Sequence, residues 1–451
     1  MKLVGRQKLT VDITEGVIWK QLLLFAFPLL ASNILQQLYN TVDSAIVGKF
    51  INAEALAAVG STGSLTGMII GLFMGIATGA GVIIAQYYGA RDVDNLQDSI
   101  HTAMALSIIS SLILMVLGTL STPMLLRIMK SPENVIDMSI EYLQVYFIGI
   151  FPSMVYNIGA GILRAVGDSK RPLYYLLIGC IINITLDLVF INVFHWGVAG
   201  AAWATNIAQT VSAVLVMWNL MKSTDIYNLQ LKKIRVHLHM IKRIIVIGVP
   251  AGLQAVVISL SNVIIQSRIN MFGSSAMAAA SAMSKIDGFL YMMINAFGLA
   301  ITTFVGQNIG AGKYDRVKKS VKTCMFMVIG FGAVLSFILT LNGRLLFGIF
   351  TDSEDILFYG KKMMYLILPL YPILSFNEVL SGAVRGMGKS FVPMMISLIG
   401  MCVFRTIWIT TVTTVWNDII AVYICYPITW SITGIAFIFY YIKISKKMEK
   451  T

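Results

Sequence analysis

Residues 161–172 read Gly-Ile-Leu-Arg-Ala-Val-Gly-Asp-Ser-Lys-Arg-Pro, and residues 382–393 read Gly-Ala-Val-Arg-Gly-Met-Gly-Lys-Ser-Phe-Val-Pro. Both stretches begin with Gly-x-x-Arg and end with Pro, and they lie 221 residues apart. A duplicated motif at such a distance indicates that the whole chain consists of two related halves.

Other residues repeat at nearly the same distance. Gln86 returns as Gln307 at a shift of 221, and Pro28 returns as Pro250 at a shift of 222. Each half holds six apolar stretches. Because this number is even, both halves start on the same side of the membrane and have the same orientation. They are therefore related by an axis along the membrane normal. Two such halves with a path between them are typical of transporters.

The composition excludes an ordinary soluble protein. Of 451 residues, 57% are apolar and 12% are charged, whereas soluble domains have about 45–50% apolar and about 25% charged residues. The mean hydropathy is +0.80. The chain is therefore predicted to be an all-α polytopic membrane protein.

Each membrane helix needs about 20 mostly apolar residues, and twelve such stretches can be drawn. We predict spans at 21–47, 55–88, 99–122, 137–160, 172–194, 198–221, 244–267, 275–309, 324–346, 363–384, 391–414 and 419–442. They divide the chain into an N-terminal lobe (1–221), a basic linker (222–243) and a C-terminal lobe (244–451), each lobe a bundle of six helices.

The net charge of +13 carries information about topology. Of 34 Lys and Arg residues, 25 lie at the termini or in connectors after even-numbered spans, and 7 lie in connectors after odd-numbered spans. Because Lys and Arg concentrate on the cytoplasmic side, both termini are predicted in the cytoplasm, with the protein in the cell membrane. The basic clusters lack the interleaved aromatic residues of nucleic-acid binders, so no nucleic-acid partner is expected.

Polar residues inside the spans are costly and point to function. In the first span they recur at steps of three and one, which places them on one stripe of a helix facing protein or water. This stripe, a candidate lining of a substrate cavity, consists of Asn33, Gln36, Gln37, Asn40 and Asp43.

The fifth and sixth spans supply further oxygen and nitrogen atoms. Asn183 and Asp187 are four residues apart and share a helix face, and the sixth span carries Thr205, with Asn206 and Gln209 as further cavity candidates. At 1.5 Å per residue, Asp43, Asp187 and Thr205 lie about 9–12 Å below the outer end of their spans. They are therefore predicted to meet at one level.

A cluster of this kind has three interpretations. Hard oxygen ligands suit Na⁺, so Asp43, Asn183, Asp187 and Thr205 are a candidate sodium site. Desolvation and repulsion between two carboxylates also favour binding of a proton. A polar network that only joins helices is the third. No other cofactor is expected.

The second half lacks this set of acidic groups. Its charged residues within spans are Lys285, Asp287, Glu378 and Arg405, which either pair structurally or form a second functional site. The chain also has 26 Met and 23 Phe residues. Their adaptable and aromatic surfaces favour, weakly, the binding of organic cations.

These motifs resemble the multidrug and toxic compound extrusion (MATE) family over nearly the whole chain. The resemblance rests on the segment from Pro28 to Asp43, the Gly-rich second span, 164–172, 305–312 and its counterpart ending at Ala90. It implies a V-shaped pair of six-helix bundles that exports cationic, amphipathic compounds in exchange for H⁺ or Na⁺. We also expect the protein to be a monomer. In DinF-like members the coupling ion binds an Asp, Asn, Asp and Thr cluster. That role falls here on Asp43, Asn183, Asp187 and Thr205.

In NorM-like members a C-lobe acidic site on the seventh and tenth helices is also implicated. The span 244–267 has no carboxylate, which puts such a site in doubt. A flippase for lipid-linked saccharides on a related fold is the alternative, but it should have a strongly cationic cavity. An enzyme is not expected, since neither HExxH nor GxSxG occurs.

Overall fold

The computed structural model describes residues 13–129, 132–349, 351 and 353–448. All regular secondary structure in these ranges is helical, and the chain forms two compact units. The described part of unit 1 is 31–129 with 132–248, and that of unit 2 is 13–30 with 249–349, 351 and 353–448. Both chain ends, predicted in the cytoplasm, lie outside the described residues.

Unit 1 contains the second part of α1, six complete helices and the start of α8. Their bounds are α1 Ile18–Phe50, α2 Ala53–Ala90, α3 Val93–Ile128, α4 Glu133–Ile148, α5 Ile150–Ala165, α6 Lys170–Asn192, α7 Gly197–Lys222 and α8 Leu238–Asn270. A 3₁₀ turn, Leu231–Lys233, precedes α8.

Unit 2 contains the first part of α1, the rest of α8 and the following helices. These are α9 Ser274–Gly310, α10 Tyr314–Leu341, α11 Gly343–Gly348, α12 Glu354–Ile367, α13 Tyr371–Gly386, α14 Phe391–Ser397, α15 Phe404–Val415, α16 Ile419–Tyr423 and α17 Cys425–Met448. A 3₁₀ turn, Leu368–Leu370, joins α12 to α13, and a π-helical segment, Leu398–Val403, joins α14 to α15.

The helices confirm a polytopic membrane protein. Ten helical segments of the described residues are long and apolar enough to cross a membrane. The pair α4 and α5, bent by 51° at Gly149, gives an eleventh. The predicted sixth span coincides with α7, which is helical but less apolar because it carries Asn206 and Gln209.

Local sequence explains where several helices begin. Asn52 accepts a hydrogen bond from the amide of Ala55 and caps α2, and Asp92 caps α3 in the same way through Asn95. Short polar side chains at these positions satisfy amides that the first turn leaves unpaired. The caps fix where α2 begins after α1 and where α3 begins after α2.

The predicted linker packs on unit 1. The amide of Gln230 donates to Nε2 of His101 at 3.2 Å, and the amide of His237 donates to Thr102 Oγ1 at 3.2 Å. Tyr227 and Leu229 are buried in the unit 1 core. The basic segment is therefore part of a folded unit.

The start of α1 belongs to unit 2. Arg316 on α10 donates to the backbone carbonyls of Ile13, Glu15 and Gly16, and Phe25 contacts Phe304 edge-on. The chain thus begins its first long helix in unit 2 and ends it, beyond residue 30, in unit 1. Six-helix halves with a boundary in the linker remain a prediction.

Candidate ion and substrate sites

Unit 1 encloses a cavity of about 480 Å³ between helices α1, α2, α4, α5 and α7. This volume lies within the range of small-molecule sites, about 300–1,000 Å³. The polar residues at its wall come from the predicted stripe of α1 and from α7. They include Gln36, Asn40, Asp43, Thr205, Asn206 and Gln209.

The four predicted ion-site residues come together at this cavity. Asp43 and Thr205 line it, whereas Asn183 and Asp187 on α6 are fully buried. The carboxyl groups of Asp43 and Asp187 lie within hydrogen-bonding reach of each other. Asn183 Nδ2 donates to Thr205 Oγ1 at 3.4 Å. The cluster therefore joins α1, α6 and α7.

Several oxygen atoms of this cluster accept no hydrogen bond from the residues that the structure describes. They are Asp43 Oδ1, Asn183 Oδ1 and both oxygens of Asp187. Buried acceptors without partners are costly, and two neighbouring carboxylates also repel each other. A proton shared by the pair, or a cation coordinated by these oxygens, would remove that cost. The geometry suits either ion.

Tyr39 belongs to this cluster, although the sequence analysis did not single it out. It is buried, and its phenol donates to Thr205 Oγ1 at 3.0 Å. Tyr142 and Tyr146 on α4 also line the cavity. The spacing held a signal for Tyr39, because it lies four residues before Asp43 and so shares its helix face.

The rest of the predicted α1 stripe divides into two groups. Gln36 and Asn40 line the cavity with Asp43, whereas Asn33 and Gln37 are not part of its wall. On α7, Asn206 Nδ2 donates to the carbonyl of Val145 at 2.7 Å, at the end of α4. Asn206 thus both lines the cavity and supports the break between α4 and α5.

Unit 2 has its own cavity, of about 550 Å³, with an aromatic wall. Three of the four predicted charged residues line it, namely Asp287, Glu378 and Arg405, while Lys285 does not and is exposed. Asp287 and Tyr371 are neighbours in this wall. The aromatic residues at the wall are Tyr291, Tyr371, Tyr423, Tyr426, Trp430 and Phe437.

Among the described charged residues of unit 2, Arg405 is the most enclosed, with 2% of its surface exposed. Its guanidinium donates to Thr429 Oγ1 at 3.3 Å, to Ser261 Oγ at 3.3 Å and to Asn262 Oδ1 at 3.2 Å. It also stacks at 4.5 Å on the ring of Tyr426. Sequence reasoning found Arg405 but not these partners.

These features define a class of protein. A duplicated, entirely helical membrane fold with a cavity in each unit, and with buried charges at both cavities, is the architecture of a secondary transporter. The profile of the MatE family matches residues 28–189 and again residues 250–410. The chain belongs to the MatE family of multidrug and toxic compound extrusion transporters. The second match begins 222 residues after the first, which confirms the internal repeat.

Relatives and solved structures agree with this assignment. The chain is 28% identical over 450 residues, 96% of each chain, to the probable multidrug resistance protein YoeA of Bacillus subtilis. It is 25% identical to the probable multidrug resistance protein NorM of Thermotoga maritima, over 86% of this chain and 84% of that protein. A MATE crystal structure in complex with MaL6 superposes with a TM-score of 0.90 at 22% identity, covering 98% of this chain and 99% of that chain. The two-lobe fold of the resemblance is thereby confirmed.

Proposed function

We propose that the protein is a multidrug efflux antiporter, which exports cationic and amphipathic organic compounds in exchange for H⁺ or Na⁺. The observation that carries the proposal is the buried pair Asp43 and Asp187 beside an accessible cavity, with three of the four carboxyl oxygens lacking donors among the described residues. The names of the relatives YoeA and NorM support drugs as cargo.

The coupling ion binds Asp43, Asn183, Asp187 and Thr205 in this proposal. Cargo enters from the cytoplasm, and the units alternate between inward and outward access. Loading of the ion changes the charge beside the cavity, which displaces cargo of the same sign. Each ion that enters down a membrane potential supplies about 2.3 kcal/mol per 100 mV. The cytoplasmic membrane, cytoplasmic termini and a monomeric state belong to the same proposal.

Pro28 supplies a bend in α1 for this cycle. It lies inside the helix, where proline removes one backbone hydrogen bond. The same helix carries Asp43. A change in the ionic state of Asp43 can therefore be linked to the shape of α1.

Dye efflux from proteoliposomes tests the proposal. Asp43→Asn and Asp187→Asn should each reduce gradient-driven efflux of a fluorescent organic cation by at least about tenfold, because each removes one ionisable ligand. Asp137→Asn is the matched control, since Asp137 is exposed on α4 and lies outside the cavity wall. Wild-type efflux by both cavity variants would refute the assignment.

A second measurement identifies the ion. Efflux is driven first by a pH gradient alone and then by a Na⁺ gradient alone, in the same vesicles. Activity under only one gradient names the coupling ion, and the Asp43→Asn variant should lose that activity. Efflux under neither gradient would contradict antiport.

The flippase alternative has less support. A lipid-linked saccharide needs a strongly cationic cavity, but the unit 2 cavity places Asp287 and Glu378 in the same wall as Arg405. Lys285, the other basic residue within a span, lines neither this cavity nor that of unit 1.

A further inference from the structure

Some N–H groups of the Arg405 guanidinium do not donate a hydrogen bond to any described residue. Of its five N–H groups, Nε uses one on Thr429, and Nη1 uses its two on Ser261 and Asn262. The two N–H groups of Nη2 have no acceptor among the residues that the structure describes. Arg405 nevertheless lines the unit 2 cavity.

Arg405 also has no ion-pair partner among the described residues. All three acceptors are neutral, and the ion pairs of the described residues do not include Arg405. The ring of Tyr426 offsets part of the charge. A buried cation without a carboxylate partner is unfavourable, and two parallel N–H groups of a guanidinium match the two oxygens of a carboxylate.

The internal repeat places Arg405 at the position of the ion cluster of unit 1. A shift of 222 carries Asn183 to Arg405 and Tyr39 to Ser261, and a shift of 221 carries Thr205 to Tyr426. The contacts correspond as well. Asn183 bonds Thr205 in unit 1, as Arg405 contacts Tyr426 in unit 2.

The acidic residues of that cluster have no counterpart in unit 2. At a shift of 222, Asp43 becomes Ile265 and Asp187 becomes Ile409, and both isoleucines are buried. At the equivalent positions, unit 2 has a guanidinium where unit 1 has an amide, and it has two hydrocarbon side chains where unit 1 has two carboxylates. At the position of the unit 1 cluster, unit 2 therefore has a guanidinium and no carboxylate, although Asp287 and Glu378 line another part of the same cavity.

The π-helical segment explains one change of shift in this correspondence, the change between α6 and α14–α15. Pro172 pairs with Pro393 at a shift of 221, whereas Cys180 pairs with Cys402 at a shift of 222. One extra residue thus enters unit 2 between these pairs, where Leu398–Val403 is π-helical. A π turn takes one residue more than an α turn, and such insertions are frequent at functional sites. Ser261 donates to the Met401 carbonyl within the segment at 2.5 Å and also accepts from Arg405.

We propose that the unit 2 cavity binds the carboxylate group of an aromatic, amphipathic compound, with Nη2 of Arg405 as its anchor. Tyr426 and Trp430 form an edge-to-face aromatic wall beside the guanidinium, and 550 Å³ accommodates a ring system. Asp287 and Glu378 line the same cavity, so a cationic group elsewhere on the compound is also tolerated. The inference specifies a class of cargo and in this sense rests on the proposed function.

Two dyes that differ in one group test the proposal. One is a cationic xanthene dye with a free carboxylate, and the other is its methyl ester. Binding to the purified full-length chain is measured by fluorescence anisotropy in detergent without an ion gradient. The wild type should bind the free carboxylate at least about tenfold more tightly than the ester, as expected for charge-assisted hydrogen bonds.

Two variants assign that preference to Arg405. Arg405→Gln should bind both dyes with equal affinity, because the group that distinguishes the carboxylate from the ester is lost. Asn262→Asp is nearly isosteric and places a carboxylate at the 3.2 Å contact with the guanidinium. It should remove the preference while Arg405 stays in place. This second variant decides the matter if Arg405→Gln does not fold.

The outcomes separate this inference from the proposed function. Equal affinity of the wild type for both dyes, binding of neither dye, or a preference that survives both variants would overturn it. Transport of the ester by the wild type tests cation export on its own, because the ester has no carboxylate. Efflux of the ester without a preference in binding would leave antiport intact and refute the role of Arg405.

Discussion

The phenol of Tyr39 donates a hydrogen bond of 3.0 Å to the hydroxyl of Thr205, which joins α1 to α7 beside the two buried carboxyl groups. Thr205 Oγ1 also accepts from Asn183. With two donors directed at its oxygen, the hydroxyl hydrogen of Thr205 is left to point elsewhere in the cluster. Tyr39 therefore positions Thr205, and in the proposed ion site it would act on the ion through Thr205.

Replacement of Tyr39 by Phe should weaken ion coupling without loss of the fold. The change deletes one buried hydrogen bond of about 1 kcal/mol and keeps the aromatic ring. We expect the concentration of coupling ion that gives half-maximal efflux to rise about three- to tenfold. The maximal rate at saturating ion should change little. The measurement is dye efflux as a function of ion concentration in proteoliposomes.

Tyr174→Phe is the control for this experiment. Tyr174 lies on α6 with half of its surface exposed and is not part of the cavity wall. Its loss of a hydroxyl should leave the ion dependence unchanged. If Tyr39→Phe lowers only the maximal rate, with the ion dependence intact, Tyr39 does not position the ion site.

The depth of residues along the spans was sufficient to predict that Asp43, Asp187 and Thr205 meet. A helix rises by a fixed distance per residue, so sequence position gives depth directly. Rotation of each helix about its axis decides which neighbours face the site, and single-sequence patterns fix it loosely. Tyr39 was not predicted because the rotation of its helix was not fixed. In addition, an aromatic residue within a span most often only packs against its neighbours.

The breaks within the fold were less accessible to sequence analysis. Gly149 separates α4 from α5, and the helix α1 passes from one unit to the other near residue 30. The hydropathy of the sequence marks neither the α4–α5 break nor the passage of α1 between the units, because both features depend on tertiary packing. The shift from 221 to 222 was visible in the sequence, but only the π-helical segment Leu398–Val403 gives its physical cause.

Gly79 on α2 should not tolerate a side chain. A Cβ atom there would lie 2.5 Å from the Ile244 carbonyl oxygen and 2.6 Å from the Gly248 amide nitrogen, both on α8 within unit 1. Backbone atoms cannot move aside cheaply, so we expect Gly79→Ala to cost about 1–3 kcal/mol. The apparent melting temperature in detergent should fall by about 2–10 °C.

Gly81 offers a matched comparison on the same helix. A Cβ atom at Gly81 has only the Gly161 carbonyl oxygen nearby, at 4.0 Å. Gly81→Ala should therefore leave the melting temperature unchanged or raise it, because alanine favours the helix by about 1 kcal/mol. Equal melting temperatures of the two variants would contradict the close approach of α2 and α8.

Asp168 should stabilise the start of α6 in the connector after α5. Its carboxylate accepts from the amides of Lys170 and Arg171 at 3.2 and 3.0 Å, and it pairs with the Arg171 guanidinium at 3.1 Å. Asp168→Ala should reduce the stability of the protein by about 1 kcal/mol. Asp168→Asn should lose less, because the amide oxygen still accepts. Melting temperatures of both variants measure this, and equal losses would contradict the capping role.

The same residue gives a pH dependence. Burial raises the pKa of Asp168 above its ordinary value of 3.8, although the Arg171 amide and guanidinium oppose this effect. When the pKa of a group is higher in the folded than in the unfolded protein, its contribution to stability is fully present at pH values below the unfolded-state pKa. That contribution is lost as the pH rises through the folded-state pKa. The stability of the wild type relative to Asp168→Asn should therefore decline as the pH rises from the ordinary pKa of Asp168 through its raised pKa in the folded protein. A relative stability that rises with pH would show that the hydrogen bonds outweigh burial.

Deletion of Ile399 tests whether the π-helical segment directs Arg405 into its cavity. Without the extra residue, Leu398–Val403 can continue as an α-helix, and the residues after it turn by about 100° relative to those before it. Arg405 would then leave Ser261 and Asn262, and the preference for a free carboxylate over its ester should disappear. Ile399→Ala, which keeps the register, should retain the preference.

Since the ester does not depend on Arg405, its binding should survive the deletion and report a folded cavity. A carboxylate preference that persists in the deletion variant would show that Arg405 reaches its ligand without the π turn.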